Sequence, residues 1–282
     1  MSNSQSFSNA ANRQNKTVLI TGASSGIGLE VAKIFRASGW NVVATMRNPE
    51  NCELAQDEKI LCLPLDVTRH ETIENTIETA IARFGSIDAL INNAGYALVG
   101  AFEACSQVEI ERQFATNVFG LMAVTRAILP HFRDRRQGII VNVASIGGKL
   151  TFPLYSPYHA TKWAVEGFSE SLQYELKPLN IKVKIIEPGP IKTDFYTRSM
   201  SVAQKPGLTD YDHYVARTLP QMQKPSMASP PEVTAKVVYR AVTDGSWKLR
   251  YPAGGGAGIF MALRKLLPDA LFQAIIKAGI ER

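Results

Sequence analysis

Tyr158 and Lys162 stand four residues apart in Tyr-His-Ala-Thr-Lys, and Ser145 lies thirteen residues upstream. On a helix, positions i and i+4 share one face. A phenol is a poor acid or base near neutral pH, because its free pKa is near 10. A unit positive charge about 4 Å away, at an effective dielectric of about 20, favours the phenolate by roughly 4 kcal/mol. That is about three pKa units, which would bring Tyr158 to about 7. The three residues therefore have the makings of a proton-transfer site. The pair alone has a simpler explanation, since many helices carry Tyr and Lys at this spacing by chance, so the rest of the chain must decide.

These side chains need a scaffold. Apolar runs predict strands at 16–21, 41–46, 60–65, 87–91, 139–143 and 181–186, with a seventh at 247–251. Between them fall helical patterns at 26–38, from Thr68 to 83, from Ser106 to 132, from Ser156 to 177, at 211–222 and at 232–243. Thr68-x-x-Glu71 and Ser106-x-x-Glu109 read as capping boxes. Ser156-Pro157 reads as an N-cap followed by Pro at the first helical position. Alternating strands and helices imply βαβ units, hence an α/β fold with a parallel sheet covered on both faces.

Thr21-Gly22-Ala23-Ser24-Ser25-Gly26-Ile27-Gly28 lies between the first strand and the first helix. Glycines there let backbone approach a pyrophosphate, and the helix N-terminus adds amide donors and partial positive charge. The end of the second strand should meet an adenosine ribose, where a carboxylate would select NAD. This chain has Met46-Arg47 there and no acid before Glu50. A guanidinium suits a 2′-phosphate, so the expected cofactor is NADP(H), with NAD(H) the alternative. Asn92-Asn93-Ala94-Gly95 follows the fourth strand, Ser145 the fifth, and Pro188-Gly189-Pro190-Ile191-Lys192-Thr193 the sixth. Ligands of open α/β sheets bind outside the carboxyl ends of the strands, so all these turns belong on one rim. That convergence removes chance as an explanation of the Tyr158–Lys162 pair.

Taken together, TGASSGIG, NNAG, Asn117, Ser145, YHATK and PGPIKT resemble the motifs of the short-chain dehydrogenase/reductase family over residues 16–193. The resemblance implies a Rossmann-type, doubly wound sheet of about seven strands, usually in a homodimer or homotetramer. It implies that Tyr158 donates or accepts the proton and that Ser145 hydrogen-bonds the substrate oxygen. Lys162 would bind the nicotinamide ribose, and Asn117 would hold a water linking Lys162 to solvent. Gly22, Ser24, Ser25, Ile27 and Gly28 would cradle the pyrophosphate, with Arg47 near the ribose and Asp66 and Val67 near the adenine. Asn93, Ala94 and Gly95 would line the cofactor, and Pro188, Gly189, Ile191 and Thr193 would lie at the nicotinamide. Many NADP-preferring members carry a basic residue where this chain has Ser25, which leaves Arg47 to recognise the phosphate. The 157–193 stretch and the C-terminal extension look like the branch acting on steroids, retinoids and other lipophilic alcohols. The implied reaction is hydride transfer between nicotinamide and a carbonyl or alcohol, in an enzyme rather than a cofactor-sensing regulator.

The chain has 282 residues, 45% of them hydrophobic and 20% charged, which suits one large α/β domain over 16–252. A Ser/Asn-rich tail at 1–15 reads as disordered, without a secretory core. Cys52, Cys62 and Cys105 fit neither a disulfide framework nor a metal-ligand spacing, which suggests a reducing compartment and a cytoplasmic protein. The net charge of +6 concentrates in 236–282, which hold eight Lys/Arg against three Asp/Glu. Without a nucleic-acid motif, that charge does not indicate nucleic acid. Residues 253–282 read as a Gly hinge at 254–258 and an amphipathic helix split by Pro268. Three roles stay open for it: packing on the body or a second subunit, a substrate lid, or peripheral membrane contact through 258–282. Substrate determinants are expected in 149–157 and 195–230. Leu150, Phe152, Leu154, Phe195, Tyr196, Leu208 and Tyr211 there suggest an apolar carbonyl or alcohol substrate.

Overall fold

Successive residues of a strand point to opposite faces, and in this sheet both faces are buried. Val18, Ile20, Val42, Ala44, Ala89, Ile91 and Val141 enter one core, while their neighbours Leu19, Val43, Leu90 and Ile140 enter the other. In this computed structural model, residues 15–223 and 227–280 are described. Apart from Asn15, the tail expected to be disordered lies outside the described residues.

The elements run β1 (Thr17–Thr21), α1 (Gly26–Ala37), β2 (Asn41–Met46), β3 (Ile60–Pro64), α2 (His70–Phe84), β4 (Ala89–Asn92), β5 (Ala97–Val99) and α3 (Gln107–Phe114). A π-helical turn, Ala115–Gly120, leads into α4 (Leu121–Arg135), β6 (Gly138–Val143), α5 (Ser156–Leu176) and β7 (Ile181–Pro188). Then come α6 (Phe195–Arg198), β8 (Met200–Val202), α7 (Asp212–Gln223), α8 (Pro231–Thr243), β9 (Arg250–Ala253), α9 (Ala257–Leu266) and α10 (Asp269–Ile280). A seven-stranded parallel sheet has the order β3-β2-β1-β4-β6-β7-β9. The winding passes from one side of β1 to the other between β3 and β4, so the carboxyl ends of β1 and β4 flank the switch point. Helices α1 and α8 cover one face, and α2, α4 and α5 the other. This is the expected Rossmann-type fold.

Several local expectations are corrected. The Thr68–Glu71 capping box does not form. The Thr68 amide and hydroxyl both bond Asp66 Oδ1, and the helix starts at His70. The box at Ser106 and Glu109 does form. The helix predicted from Ser106 to 132 is interrupted by the π turn, which carries Asn117. Tyr155, not Ser156, is the N-cap of α5. The seventh strand begins at Arg250, not Trp247, which lies outside it, partly exposed, under the ammonium groups of Lys177 and Lys182. The Gly hinge is a pinned turn: the Gly255 amide donates to Ser229 Oγ at 2.8 Å, and a Cβ on Gly255 would meet Pro190 at 2.5 Å. A short parallel pairing of β5 with β8 was not foreseen.

Cys52 and Cys62 form a disulfide, their Cα atoms 6.5 Å apart, while Cys105 is free. The bond removes the ground for inferring a reducing compartment. Spacing could not reveal it, because the 47–59 connection brings Cys52 back onto β3. Among the described residues, no helix is long and apolar enough to cross a membrane.

Candidate active site

Every parallel strand delivers its carboxyl end to one rim, and a cavity of about 920 Å³ opens there. Gly22, Ser24, Ser25, Ile27, Arg47, Asp66, Val67, Asn93, Ala94 and Gly95 line it. Ser145, Tyr158, Lys162, Pro188, Gly189, Ile191 and Thr193 line it as well. Two expected site residues stand behind the wall. Gly28 packs under the loop: a Cβ there would meet Gly22 O at 2.3 Å and Asn93 Nδ2 at 2.6 Å. Any side chain at 28 would push the loop into the cavity. The Asn93 amide holds that loop, donating to Thr21 O and Gly22 O at 3.0 Å each. Ser25 is the N-cap of α1 without a side-chain cap bond, which leaves the first amides of the helix to a ligand. A pyrophosphate fits this cradle.

Asn117, buried in the π turn, donates to Tyr96 O at 2.8 Å and to Thr161 Oγ1 at 3.2 Å. It accepts from the Tyr96 amide at 3.1 Å. Its side-chain donors are thus taken by protein groups.

Tyr158 keeps part of its surface open to the cavity but is otherwise ringed by protein. Its ring centroid is 5.9 Å from that of Tyr155 and 6.2 Å from that of Phe195. The phenol is pushed up to about 12, first by burial, while a hydrogen bond with the Ser145 hydroxyl pulls the other way. This corrects the expected drop towards 7. The Lys162 ammonium donates to Val143 O at 2.9 Å and lies 5.7 Å from the Tyr158 centroid, so desolvation of the phenol prevails over attraction. Burial also lowers Lys162, to about 8, with the Glu166 carboxylate opposing. Ser145 Oγ accepts from the Gly147 amide at 3.0 Å.

A family model described as short chain dehydrogenase matches residues 16–202. The chain belongs to the short-chain dehydrogenase family. It is an oxidoreductase of that type, acting on CH–OH or C=O groups. It is 43% identical over 231 residues to an uncharacterised oxidoreductase of Schizosaccharomyces pombe, covering 81% of this chain and 97% of the relative. It is 34% identical over 268 residues to a 3-ketodihydrosphingosine reductase of Bacteroides thetaiotaomicron, covering 94% and 97%. A solved short-chain dehydrogenase from Streptomyces avermitilis superposes with a TM-score of 0.82 at 34% identity, over 94% of this chain and 96% of that one. ElxO with NADP bound gives 0.72 at 27%, over 87% and 99%. A 3-ketoacyl-(acyl-carrier-protein) reductase from Brucella melitensis, complexed with NADH, gives 0.71 at 27%, over 86% and 98%.

Two buried side chains of this short-chain dehydrogenase frame the site without having been singled out from sequence. Gln113, one turn before Asn117, bonds the Leu98 amide and Tyr96 O. The two amides sit at i and i+4, a spacing that would have revealed them. His159 bridges Gly147 O and the Phe152 amide, at 2.9 Å each, tying the turn after Ser145 to α5. Nδ1 must donate and Nε2 accept, so the ring is neutral, and burial pulls it down to about 4. An unfolded His titrates near 6.5. Below about pH 6.5 the unfolded chain therefore takes up a proton that the folded chain refuses. Stability is expected to fall by about 3 kcal/mol as pH drops from about 6.5 to about 4. Urea midpoints of wild type and His159→Gln at a series of pH values check this. The two curves should converge as pH falls, and parallel curves would refute the assignment.

Of the apolar residues expected at the substrate end, Phe152, Phe195 and Tyr196 line the cavity. Leu150 and Leu154 are buried in satellite cores, and Tyr211 faces out to bond Glu103. Leu208 is not part of the lining. Met200, Met222, Met227, Phe260, Ile275 and Ile276 take their place, the last three from the C-terminal helices. Phe272 anchors those helices to the body beside Ile146 and Leu150.

Proposed function

We propose that this enzyme is an NADP(H)-dependent reductase of long-chain or otherwise lipophilic carbonyl compounds, with Tyr158 as proton donor. The observation that carries the reading is the Tyr158 hydroxyl, partnered by Ser145, standing between a phosphate cradle and an apolar chamber. A nicotinamide cofactor, when bound, supplies the hydride. A phenol held above its ordinary pKa keeps its proton at neutral pH, which suits donation to a carbonyl oxygen that becomes an alkoxide. Ser145 hydrogen-bonds the same oxygen. Lys162 has two ammonium hydrogens beyond the one given to Val143, enough for two ribose hydroxyls.

The amides at Ser24–Ile27 hold the pyrophosphate, with Gly22 and Gly28 keeping their loop compact. Arg47 takes the 2′-phosphate, Asp66 and Val67 flank the adenine, and Asn93, Ala94 and Gly95 line the path between. Pro188, Gly189, Ile191 and Thr193 hold the nicotinamide edge. Asn117 acts through the Tyr96 segment, and a water beside it would rest on backbone and the remaining Oδ1 lone pair. Both NADP and NADH occur in the similar structures, so the preference for NADP(H) rests on Arg47 alone.

The lipophilic substrate is supported by the thioether and aliphatic side chains at the chamber end and by the sphingoid ketone named for one relative. We read 16–252 as one body, with the described part of the C-terminal extension, 253–280, folded over its mouth as a lid. Exposed Phe119 and Trp163, on the π turn and α5, favour a homo-oligomer. NADPH oxidation against a panel of ketones of rising chain length tests the substrate reading. Each methylene buried contributes about 0.8 kcal/mol, so kcat/KM should rise about fourfold per carbon until the chamber is full. Equal rates for short polar and long apolar ketones would contradict it.

A further inference from the structure

One turn beyond Lys162 on α5, Glu166 meets Glu187, the residue before Pro188 at the end of β7. Glu166 is 2% exposed and Glu187 0%, and Arg250 approaches both carboxyl groups. Neither oxygen of Glu187 nor Oε1 of Glu166 has a donor. Arg250, from β9, places Nε 3.0 Å from Glu166 Oε2 and 3.7 Å from Glu187 Oε1, and its Nη2 bonds Glu170 at 2.6 Å. Lys149, from the turn after Ser145, lies 3.3 Å from Glu166 Oε2. On the same helix Lys162 faces the cavity and Val143 O.

Lys149, Lys162 and Arg250 thus surround Glu166, Glu170 and Glu187, yet none of them reaches Glu166 Oε1 or bonds either oxygen of Glu187, and one proton held between the two carboxyl groups supplies the missing donor. Two carboxylates that share a buried site cannot both ionise cheaply, and one holds its proton far above the ordinary range.

We propose that Glu166 and Glu187 share a single proton, and that this hydrogen bond is a positioning device joining the Tyr158–Lys162 helix to the 188–193 wall of the cavity. Burial and the Glu166 charge hold Glu187 above the usual carboxylate range, with Arg250 and Lys149 pulling back. The remaining charge on Glu166 raises Lys162 against burial and so keeps it an ammonium. Glu166 and Glu187 touch no reacting atom and act through their neighbours.

The folded chain holds a proton that the unfolded chain releases above about pH 4.5. The stabilisation is therefore complete at acid pH and lost as pH rises through the raised folded value. Glu187→Gln copies the protonated form and has nothing to release. Its melting temperature, relative to wild type, is expected to climb by several degrees from about pH 5 to about pH 9.

Infrared difference spectra of wild type against Glu187→Gln, and against Glu166→Gln, read the proton directly. A protonated-carboxyl stretch is expected in wild type at neutral pH and should vanish in either variant, because the surviving partner then ionises beside Arg250. No such band in wild type, or a band that persists in either variant, would overturn the shared proton. Should Glu166→Gln fail to fold, the spectrum and melting series of Glu187→Gln decide alone.

The link to Lys162 rests on the function proposed above. Its readout is a downward shift of the pH profile of kcat in Glu166→Gln at unchanged KM, and an unshifted profile would overturn that link. The infrared band does not depend on turnover, so the two failures are distinguishable.

Discussion

Tyr158→Phe is expected to lower kcat by about 10²–10⁴-fold, the contribution of a positioned general acid, while leaving the affinity for NADPH within about twofold. The substitution removes one oxygen and leaves the ring between Tyr155 and Phe195, so the wall of the cavity keeps its shape. Lys162 keeps its bond to Val143 O, and the cradle at Gly22–Gly28 is held by the Asn93 side chain, not by the phenol. Ser145 keeps the Gly147 amide and loses only the phenol as partner. Steady-state rates with a turned-over ketone, together with fluorescence titration of NADPH, separate the two effects. Near-wild-type kcat would remove Tyr158 from the chemistry. Loss of NADPH binding would make it a cofactor ligand first and an acid second.

Arg47→Asp is expected to reverse cofactor preference. Arg47 is exposed at the carboxyl end of β2 and lines the adenine end of the cavity. Hydrogen bonds to charged groups contribute about 1.5–3 kcal/mol, so losing them alone weakens NADPH by about 10–10²-fold. An aspartate at 47 adds repulsion against the 2′-phosphate and offers an acceptor to the 2′-hydroxyl of NADH. The ratio of the dissociation constants for NADPH and NADH, measured by titration, should shift by more than about 10²-fold. Asp66 stands at the same end: burial raises its carboxyl, but the Thr68 amide and hydroxyl, with Arg47 and Arg69, hold it below the ordinary range. An unchanged NADPH constant would place the phosphate elsewhere on the rim, where Arg198 approaches Ser24 at 3.5 Å.

The sheet was legible because a parallel strand buried on both faces must be an unbroken apolar run, and runs such as Val18-Leu19-Ile20 have no other good fate. Element ends were less legible, because they depend on competition for single hydrogen bonds. Asp66 captures Thr68 before it can cap α2, and Trp247 lies outside the strand beneath two lysines. A π turn keeps the apolar spacing nearly intact, so the pattern over 107–132 does not betray the extra residue that buries Asn117.

The motifs at strand ends were legible for a different reason. Each is local, and the α/β topology alone carries Arg47, Asn93, Ser145 and Ile191 to one rim. What stayed hidden was every contact between distant segments. Glu187 meets Glu166 and Arg250 only because β7 packs against α5 and pairs with β9. Attraction between Tyr158 and Lys162 could be estimated from their spacing, but the desolvation that outweighs it comes from walls built by other elements.

The central claim is that Tyr158 serves hydride transfer from NADPH to a carbonyl carbon. Its most direct test is to supply NADPH deuterated at the transferred position of the nicotinamide C4, with a long-chain ketone, and examine the product alcohol by mass spectrometry. Deuterium on the carbinol carbon is the expected result for wild type, with labelled alcohol lower by at least about 10²-fold from Tyr158→Phe in the same time. An alcohol that forms without the label, or equal labelling by the variant, would contradict the account.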